Sequence, residues 1–220
     1  MTSWIPPTAF WGFTCLFALL FGVVEVIKRS TPISGTVTRK ILHVSTALVS
    51  TALPSHLAPS WIIVLAVMFG LVLTASKLGS VLTSIHNVPR KTWGEVLFPL
   101  GIGLAAWLVY CAPFLDLDAE LAASSLRFGL LTLGILDVAA EWGGQIPSPK
   151  LWFGKSVAGS LSFFAAGLVL CAAHGIPLTG TAVAAVAGLS LSETLLGRGI
   201  DNLALPSLGA LAYLLLVTSN

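Results

Sequence analysis

The sequence predicts an all-α fold, a polytopic bundle of transmembrane helices formed by one integral membrane domain over residues 1–220. Hydrophobic residues make up 56% of the chain and charged residues only 9%, against about 25% charged in soluble domains. Apolar runs close to the length of a membrane span recur along the chain, and Lys and Arg collect between alternate pairs of runs. This composition excludes an ordinary soluble protein.

Eight apolar runs are candidate spans, because a helix needs about 20 mostly apolar residues to cross a bilayer. Pro54 and Pro59 interrupt the second run, so a seven-span bundle is the alternative. The runs lie near residues 8–27, 41–57, 60–76, 96–115, 121–138, 156–173, 178–195 and 201–218.

The basic residues follow the odd-numbered spans. The connections at 55–59, 116–120 and 173–177 contain no Lys or Arg, so we expect both termini outside and the basic connections in the cytoplasm. Arg127, inside the fifth span, is expected to face the bundle or to reach the interface. The basic connections carry Lys28, Arg29, Arg39, Lys40, Lys77, Arg90, Lys91, Lys150, Lys155 and Arg198.

Net charge and cysteine spacing exclude further classes. The formal charge of +2 gives no reason to expect a nucleic-acid partner. Cys15, Cys111 and Cys171 stand far apart in apolar runs, so neither a disulfide framework nor a zinc site is expected. The first apolar run lacks the basic start of a signal peptide and is expected to remain as a span.

Acidic residues collect at the predicted cytoplasmic helix ends, although membrane topology does not require them there. Asp137 and Glu141 are four residues apart and would share one helix face. Carboxylates with open coordination positions suit Mg²⁺, which prefers oxygen ligands and shares them with substrate phosphates. A structural ion-pair network is the alternative. The predicted metal ligands are Asp137, Glu141, Glu95 and Glu193.

Polar clusters stand where the even-numbered spans begin, at 38–43, 90–95, 153–160 and 199–202. Helix N-termini attract anions, so four converging ones favour a polyphosphate. Ser156 is expected to cap the sixth span, with Gly154 and Lys155 beside it. Pro149 stands where a phosphate-binding loop of the GxxxxGKS type needs glycine, so that motif is absent.

Candidate phosphate and hydroxyl contacts lie in these clusters. Arg39 and His43 share a helix face, and a histidine there can bind phosphate or accept a proton. Arg90 and Lys91 are basic residues that would contact phosphate or only anchor the helix at the interface. Asp201 and Asn202 would orient a hydroxyl or a metal, or Asp201 would simply cap the last span.

Four ordered segments resemble the polyprenol kinase family of membrane enzymes, which includes phytol, dolichol and CTP-dependent diacylglycerol kinases. The resemblance covers 38–206 and is strongest to the phytol kinase branch. Leu136 and Gln145 depart from the family pattern, which often has Gly and Arg there. The segments are RKILH at 39–43, RKTWGEVLFPLG at 90–101, DVAAEWGG at 137–144 with GKSVAGSLSFF at 154–164, and SET with DNLALP at 192–206.

The resemblance implies transfer of the γ-phosphoryl group of CTP to a long-chain isoprenoid alcohol such as phytol at the cytoplasmic membrane face, with Mg²⁺. The implied partners are a nucleoside triphosphate, a lipid alcohol and membrane lipids. Gly144 falls at a glycine position of its nucleotide motif. The catalytic candidates are Asp137, Asp201, His43 and Lys155, and the nucleotide-binding candidates are Arg39, Lys40, Arg90, Lys91, Gly144, Gly154, Lys155, Ser156 and Asn202.

Two other functions fit part of the pattern. A cytidylyltransferase resembling CDP-diacylglycerol synthase also uses CTP with acidic and Lys-Ser motifs, but it would release pyrophosphate. A transporter would place ionisable groups near the bilayer midplane and often shows inverted repeats. Here nearly all charges lie at one predicted face and no repeat is visible, which favours the kinase.

Overall fold

The computed structural model describes residues 5–79, 82 and 93–219, and these residues form helices without any β-strand. A π-helical segment, Thr132–Leu136, joins α6 to α7, and a 3₁₀ turn, Trp152–Gly154, precedes α8. The helices are α1 Thr8–Ser30, α2 Gly35–Ser50, α3 Leu53–His56, α4 Pro59–Leu78, α5 Gly94–Cys111, α6 Ala119–Leu131, α7 Asp137–Gly143, α8 Val157–Ala173, α9 Gly180–Leu195 and α10 Ile200–Thr218.

Among the described residues, five helices are long and apolar enough to cross a membrane. They are α1, α4, α5, α10 and the continuous helix from Ala119 to Gly143 that contains α6 and α7. The helices α8 and α9 are also apolar but have 17 and 16 residues. The prediction of an α-helical, multi-pass membrane protein agrees with this set.

The second predicted span, 41–57, differs most from the structure. Its helix, α2, begins at Gly35 because the Ser34 side chain accepts a hydrogen bond from the Val37 N–H at 3.4 Å. It ends at Ser50, and Pro54 stands in the first turn of the separate short helix α3. The basic residues Arg39 and Lys40 therefore lie inside α2.

The last helix is held between α5 and α6 by two glycines. A Cβ atom at Gly101 would lie 3.1 Å from the Cα of Leu203, and one at Gly129 would lie 3.0 Å from the backbone nitrogen of Ala210. A larger residue at either position would push α10 away. Buried apolar residues from all three helices, including Ile102, Phe128 and Leu205, form one core. This packing fixes where the N-terminal end of α10 lies.

Candidate functional site

Three carboxylates from distant parts of the sequence meet at one end of the bundle. Asp137 begins α7, Glu193 lies in the last turn of α9, and Asp201 lies in the first turn of α10. One oxygen from each lies within 4.8 Å of the others. Three like charges this close need a positive partner, so the cluster is a functional candidate.

Lys155 supplies one positive partner from the connection before α8. Its Nζ donates hydrogen bonds to the carboxylate and the backbone carbonyl of Glu193, and to the carboxylate of Asp201 at 3.1 Å. Burial alone would lower the pKa of Lys155, but the charges of Asp201 and Glu193 outweigh it and raise the pKa above its usual value. The ammonium group therefore stays charged at neutral pH.

The π-helical segment brings the side chains of Asp137 and His43 close to each other. A π-helical turn disturbs the regular helical hydrogen bonding, and such turns are frequent at functional sites. His43 Nε2 donates to the Leu133 carbonyl within this segment at 3.0 Å and lies 3.7 Å from Asp137 Oδ2. Because a carbonyl only accepts, this bond places a proton on Nε2. The nitrogen nearest Asp137 is thus a donor in this arrangement.

A left-handed glycine sets the position of Asp201. Gly199 has φ +96°, and a Cβ atom there would lie 2.6 Å from the Cα of Gly94. Only glycine meets both conditions without strain. Asp201 Oδ1 then accepts from the Asn202 N–H at 3.1 Å, and its Oδ2 faces Lys155.

The three carboxylates fit a divalent cation. Mg²⁺ takes oxygen ligands at about 2.0–2.1 Å in an octahedron, so oxygens on one ion lie about 2.9 to 4.1 Å apart. The oxygens of Asp137, Glu193 and Asp201 lie within 4.8 Å of one another, so these residues could hold such an ion. They also carry more negative charge than Lys155 alone neutralises. Two predicted metal ligands, Asp137 and Glu193, are therefore in this cluster, and Asp201 joins them.

The other two predicted metal ligands lie elsewhere. Glu141 pairs with Lys40 at 3.3 Å, and its side chain is 49% exposed. Glu95 forms an ion pair with Lys77, whose Nζ also lies 4.7 Å from the centre of the Trp93 ring. Glu141 follows Asp137 by four residues, but tertiary packing turns it toward α2 instead of toward the carboxylate cluster.

The N-terminus of α8 does not offer the free N–H groups expected from its sequence. Ser156 caps the helix by accepting from the Gly159 N–H at 3.2 Å, as predicted. The Val157 N–H donates to the Pro149 carbonyl at 3.1 Å, and the Ala158 N–H donates to the Ser148 hydroxyl at 3.2 Å. The connection before α8 thus satisfies its first turn. The helix dipole remains, but direct phosphate binding by these N–H groups is not available.

A large polar cavity with a volume of about 690 Å³ opens beside the carboxylates. Its walls also include Phe153 and Arg198, which the sequence analysis did not select as site residues. Both have positive φ values, 57° and 58°. Such backbone conformations are unusual for these residue types and cannot be read from spacing. The predicted residues in its walls are Arg39, Lys40, Asp137, Glu141, Gly144, Gly154, Lys155, Ser156, Glu193, Asp201 and Asn202.

A second, apolar cavity adjoins the polar one. Arg39 and Asn202 belong to the walls of both. His43 and Glu95 line the polar end of the apolar cavity, and aromatic and aliphatic side chains of α1, α2, α4 and α5 line the rest. Arg90 and Lys91, both predicted to contact phosphate, lie outside the described residues.

Comparisons with known proteins found no similar protein or family. No family model, curated protein or solved structure matches it. A function must therefore be inferred from the residues and the geometry of the two cavities.

Proposed function

We propose that this protein is a lipid-alcohol kinase that transfers the γ-phosphoryl group of CTP to a long-chain isoprenoid alcohol such as phytol. The observation that carries the proposal is the junction of the two cavities at Arg39 and Asn202. A charged cavity suits a nucleoside triphosphate, and an apolar cavity suits a lipid chain. A hydroxyl at the junction would lie close to the carboxylate cluster.

The membrane arrangement belongs to the same proposal. Eight crossings, counting α2 with α3 as one span and the shorter helices α8 and α9 as two more, would put both termini on the same side, which the positions of the basic connections would make the outside. The cavity is then at the cytoplasmic face, where a cell supplies nucleotide. The alternation of basic and non-basic connections in the sequence supports this orientation.

The carboxylate cluster would hold Mg²⁺ through Asp137 and Glu193, which leaves Asp201 beside the ion for proton transfer. A bound Mg²⁺ neutralises charge on the triphosphate and fixes its orientation. Arg39, Lys40 and Lys155 line the same cavity and provide positive charge for the phosphate oxygens. Phosphoryl transfer depends mainly on alignment and charge stabilisation, and this set of side chains provides both.

Asp201 is the proposed base for the lipid hydroxyl. The hydroxyl oxygen attacks the γ-phosphorus, the bond from that phosphorus to the β,γ-bridging oxygen breaks, and the hydroxyl proton passes to the Asp201 carboxylate. The products are a lipid phosphate and CDP. His43 is less suited to accept this proton through Nε2, because that nitrogen donates to the Leu133 carbonyl. Its role in the proposal is to orient the lipid hydroxyl through the other ring nitrogen.

The test is phosphoryl transfer by purified protein in nanodiscs with Mg²⁺. γ-Labelled CTP or ATP is supplied with phytol, other prenols or diacylglycerol, and the lipid is then extracted. Label in the lipid phase with release of CDP is the expected result. Pyrophosphate release with phosphatidate, and no labelled lipid, would instead establish a cytidylyltransferase. A correctly folded sample that produces neither result rejects the kinase.

A further inference from the structure

An aromatic ring lies in the wall of the polar cavity. Among the residues that the structure describes, Phe153 is the only aromatic residue of this wall, and it is 46% exposed. The rest of the wall consists mainly of charged, polar and glycine residues. A ligand that fills the cavity therefore meets one apolar surface, the Phe153 ring, beside many charged groups.

The Phe153 ring packs with one face against Gly197. A Cβ atom at Gly197 would lie 2.4 Å from Phe153 Cγ, and 2.6 and 2.8 Å from its two Cδ atoms. Three such similar distances occur above the face of a ring, because a point in the ring plane beyond Cγ is much farther from both Cδ atoms. Since Phe153 also lines the cavity and is nearly half exposed, the opposite face of the ring is the one toward the cavity.

The backbone on both sides of this contact is strained. Phe153 has φ 57°, and Arg198, which follows Gly197, has φ 58°. In the described part of the chain these are the two non-glycine residues with positive φ, and both line the polar cavity. Such conformations cost free energy and concentrate at functional sites, where the surrounding structure maintains them. The strain here holds the ring at the cavity wall.

The ring also lies near the groups proposed to bind the triphosphate. Phe153 precedes Lys155 by two residues, so their Cα atoms are at most about 7 Å apart. The Lys155 ammonium group donates hydrogen bonds to the carboxylates of Glu193 and Asp201. Only a ribose separates the base of a nucleotide from its phosphates. A nucleotide with its phosphates at this cluster can therefore place its base on the Phe153 ring.

We infer that Phe153 stacks against the base of the nucleotide, while Gly197 supports the other face of the ring. The inference rests on the proposed function, because it takes the polar cavity to be the nucleotide site. Stacking on an aromatic side chain strengthens binding roughly five- to 150-fold per base. Every base has a flat π face, so stacking fixes the position of the base without choosing cytosine over uracil.

Nucleotide binding without a lipid alcohol tests the inference separately from turnover. Purified protein in detergent with Mg²⁺ is titrated with labelled CTP, and ribose 5-triphosphate, which lacks the base, is used to displace it. We expect the wild type to bind CTP about tenfold more tightly than ribose 5-triphosphate. Phe153→Leu keeps an apolar side chain beside Gly197 but should lose most of this preference. Phe153→Tyr keeps an aromatic ring and should preserve it.

Two further variants locate the effect. Gly197 does not have a positive φ, so alanine fits its backbone, but the new Cβ atom would displace the Phe153 ring. Gly197→Ala should therefore reduce the preference for CTP, as Phe153→Leu does. Trp152→Ala is the control and should keep the preference, because Trp152 is 62% exposed and lies outside the described walls of the cavity. A wild-type preference in Phe153→Leu, or no preference in the wild type, overturns the inference.

Failure of the inference and failure of the proposed function give different results. A preference for CTP that depends on Phe153, without phosphoryl transfer to any alcohol, rejects the kinase and leaves the stacking intact. Phosphoryl transfer by the wild type, with an unchanged KM for CTP in Phe153→Leu, rejects the stacking and leaves the kinase intact. A folded protein that binds neither CTP nor ribose 5-triphosphate rejects both.

Discussion

The two ends of the bundle use their polar residues in different ways. At one end, Asp137, Glu193, Asp201 and Lys155 come from separate helices and connections and form one cluster. At the other, Asp118 caps its own helix α6 by accepting from the Glu120 and Leu121 N–H groups. Such local bonds complete helix ends, whereas the cluster gathers charges that repel one another. The local cap at Asp118 is structural, whereas the carboxylate cluster suits a ligand.

The largest expected effect comes from the cluster itself. Asp137→Asn keeps the shape of the side chain but removes a charge that would hold Mg²⁺ and the triphosphate. Initial rates of phosphoryl transfer in nanodiscs should fall about 10³-fold, equivalent to about 4 kcal/mol. Asp118→Asn is the control from the opposite end and should keep wild-type rates. A rate within a few-fold of wild type for Asp137→Asn would remove Asp137 from the mechanism.

Lys155→Met tests whether the cluster also affects stability. Removing one partner of a buried ion pair costs about 3 kcal/mol, because it leaves the other charge uncompensated. The melting temperature in detergent should fall clearly, and adding Glu193→Gln should recover part of the loss. Lys40→Met is the comparison, because its partner Glu141 is half exposed and such pairs contribute under about 1 kcal/mol. Equal falls in melting temperature for Lys155→Met and Lys40→Met would contradict the distinction between a buried and a half-exposed ion pair.

Arg127→Ala should lower the stability of the protein without changing its rate of phosphoryl transfer. Its guanidinium donates to the Ser55 hydroxyl at 2.7 Å and to the Thr51 carbonyl at 3.3 Å, beyond the end of α2. Loss of these bonds should cost about 1–2 kcal/mol, measured as a lower melting temperature. Ser55→Ala removes one of the two and should cost less. A large loss of turnover at a temperature where Arg127→Ala is still folded would show that the ends are coupled.

The smallest effect is expected for Glu141→Gln. Its carboxylate pairs with Lys40 at the cavity wall and lies outside the cluster of three. Turnover should stay within about threefold of wild type, because a half-exposed pair contributes under about 1 kcal/mol. The dependence of rate on Mg²⁺ concentration is the sharper measurement. A marked rise in the Mg²⁺ requirement would return Glu141 to the metal ligands.

Much of the site could be predicted because charged residues are rare in membrane-spanning helices and at helix ends where topology does not require them. Asp137, Glu193 and Asp201 are acidic where topology needs no acids, and Lys155 stands next to a helix cap. The sequence could not show that Glu141 turns away, because that depends on where the fold places its partner Lys40. It also could not show the hydrogen bonds that occupy the first turn of α8, which come from Pro149 and Ser148 in the folded connection.

The helical class and the approximate helix positions follow from the order of residues alone, because apolar runs with charges at their ends are typical of helices in a lipid environment. The α2 boundary was less predictable, since the Ser34 cap extends the helix through polar residues. Which charges come together depends on how the helices pack. Close glycine contacts at Gly101, Gly129 and Gly199 bring α10 against its neighbours and carry Asp201 to Asp137 and Lys155. Such contacts join residues far apart in sequence, and no local pattern encodes them.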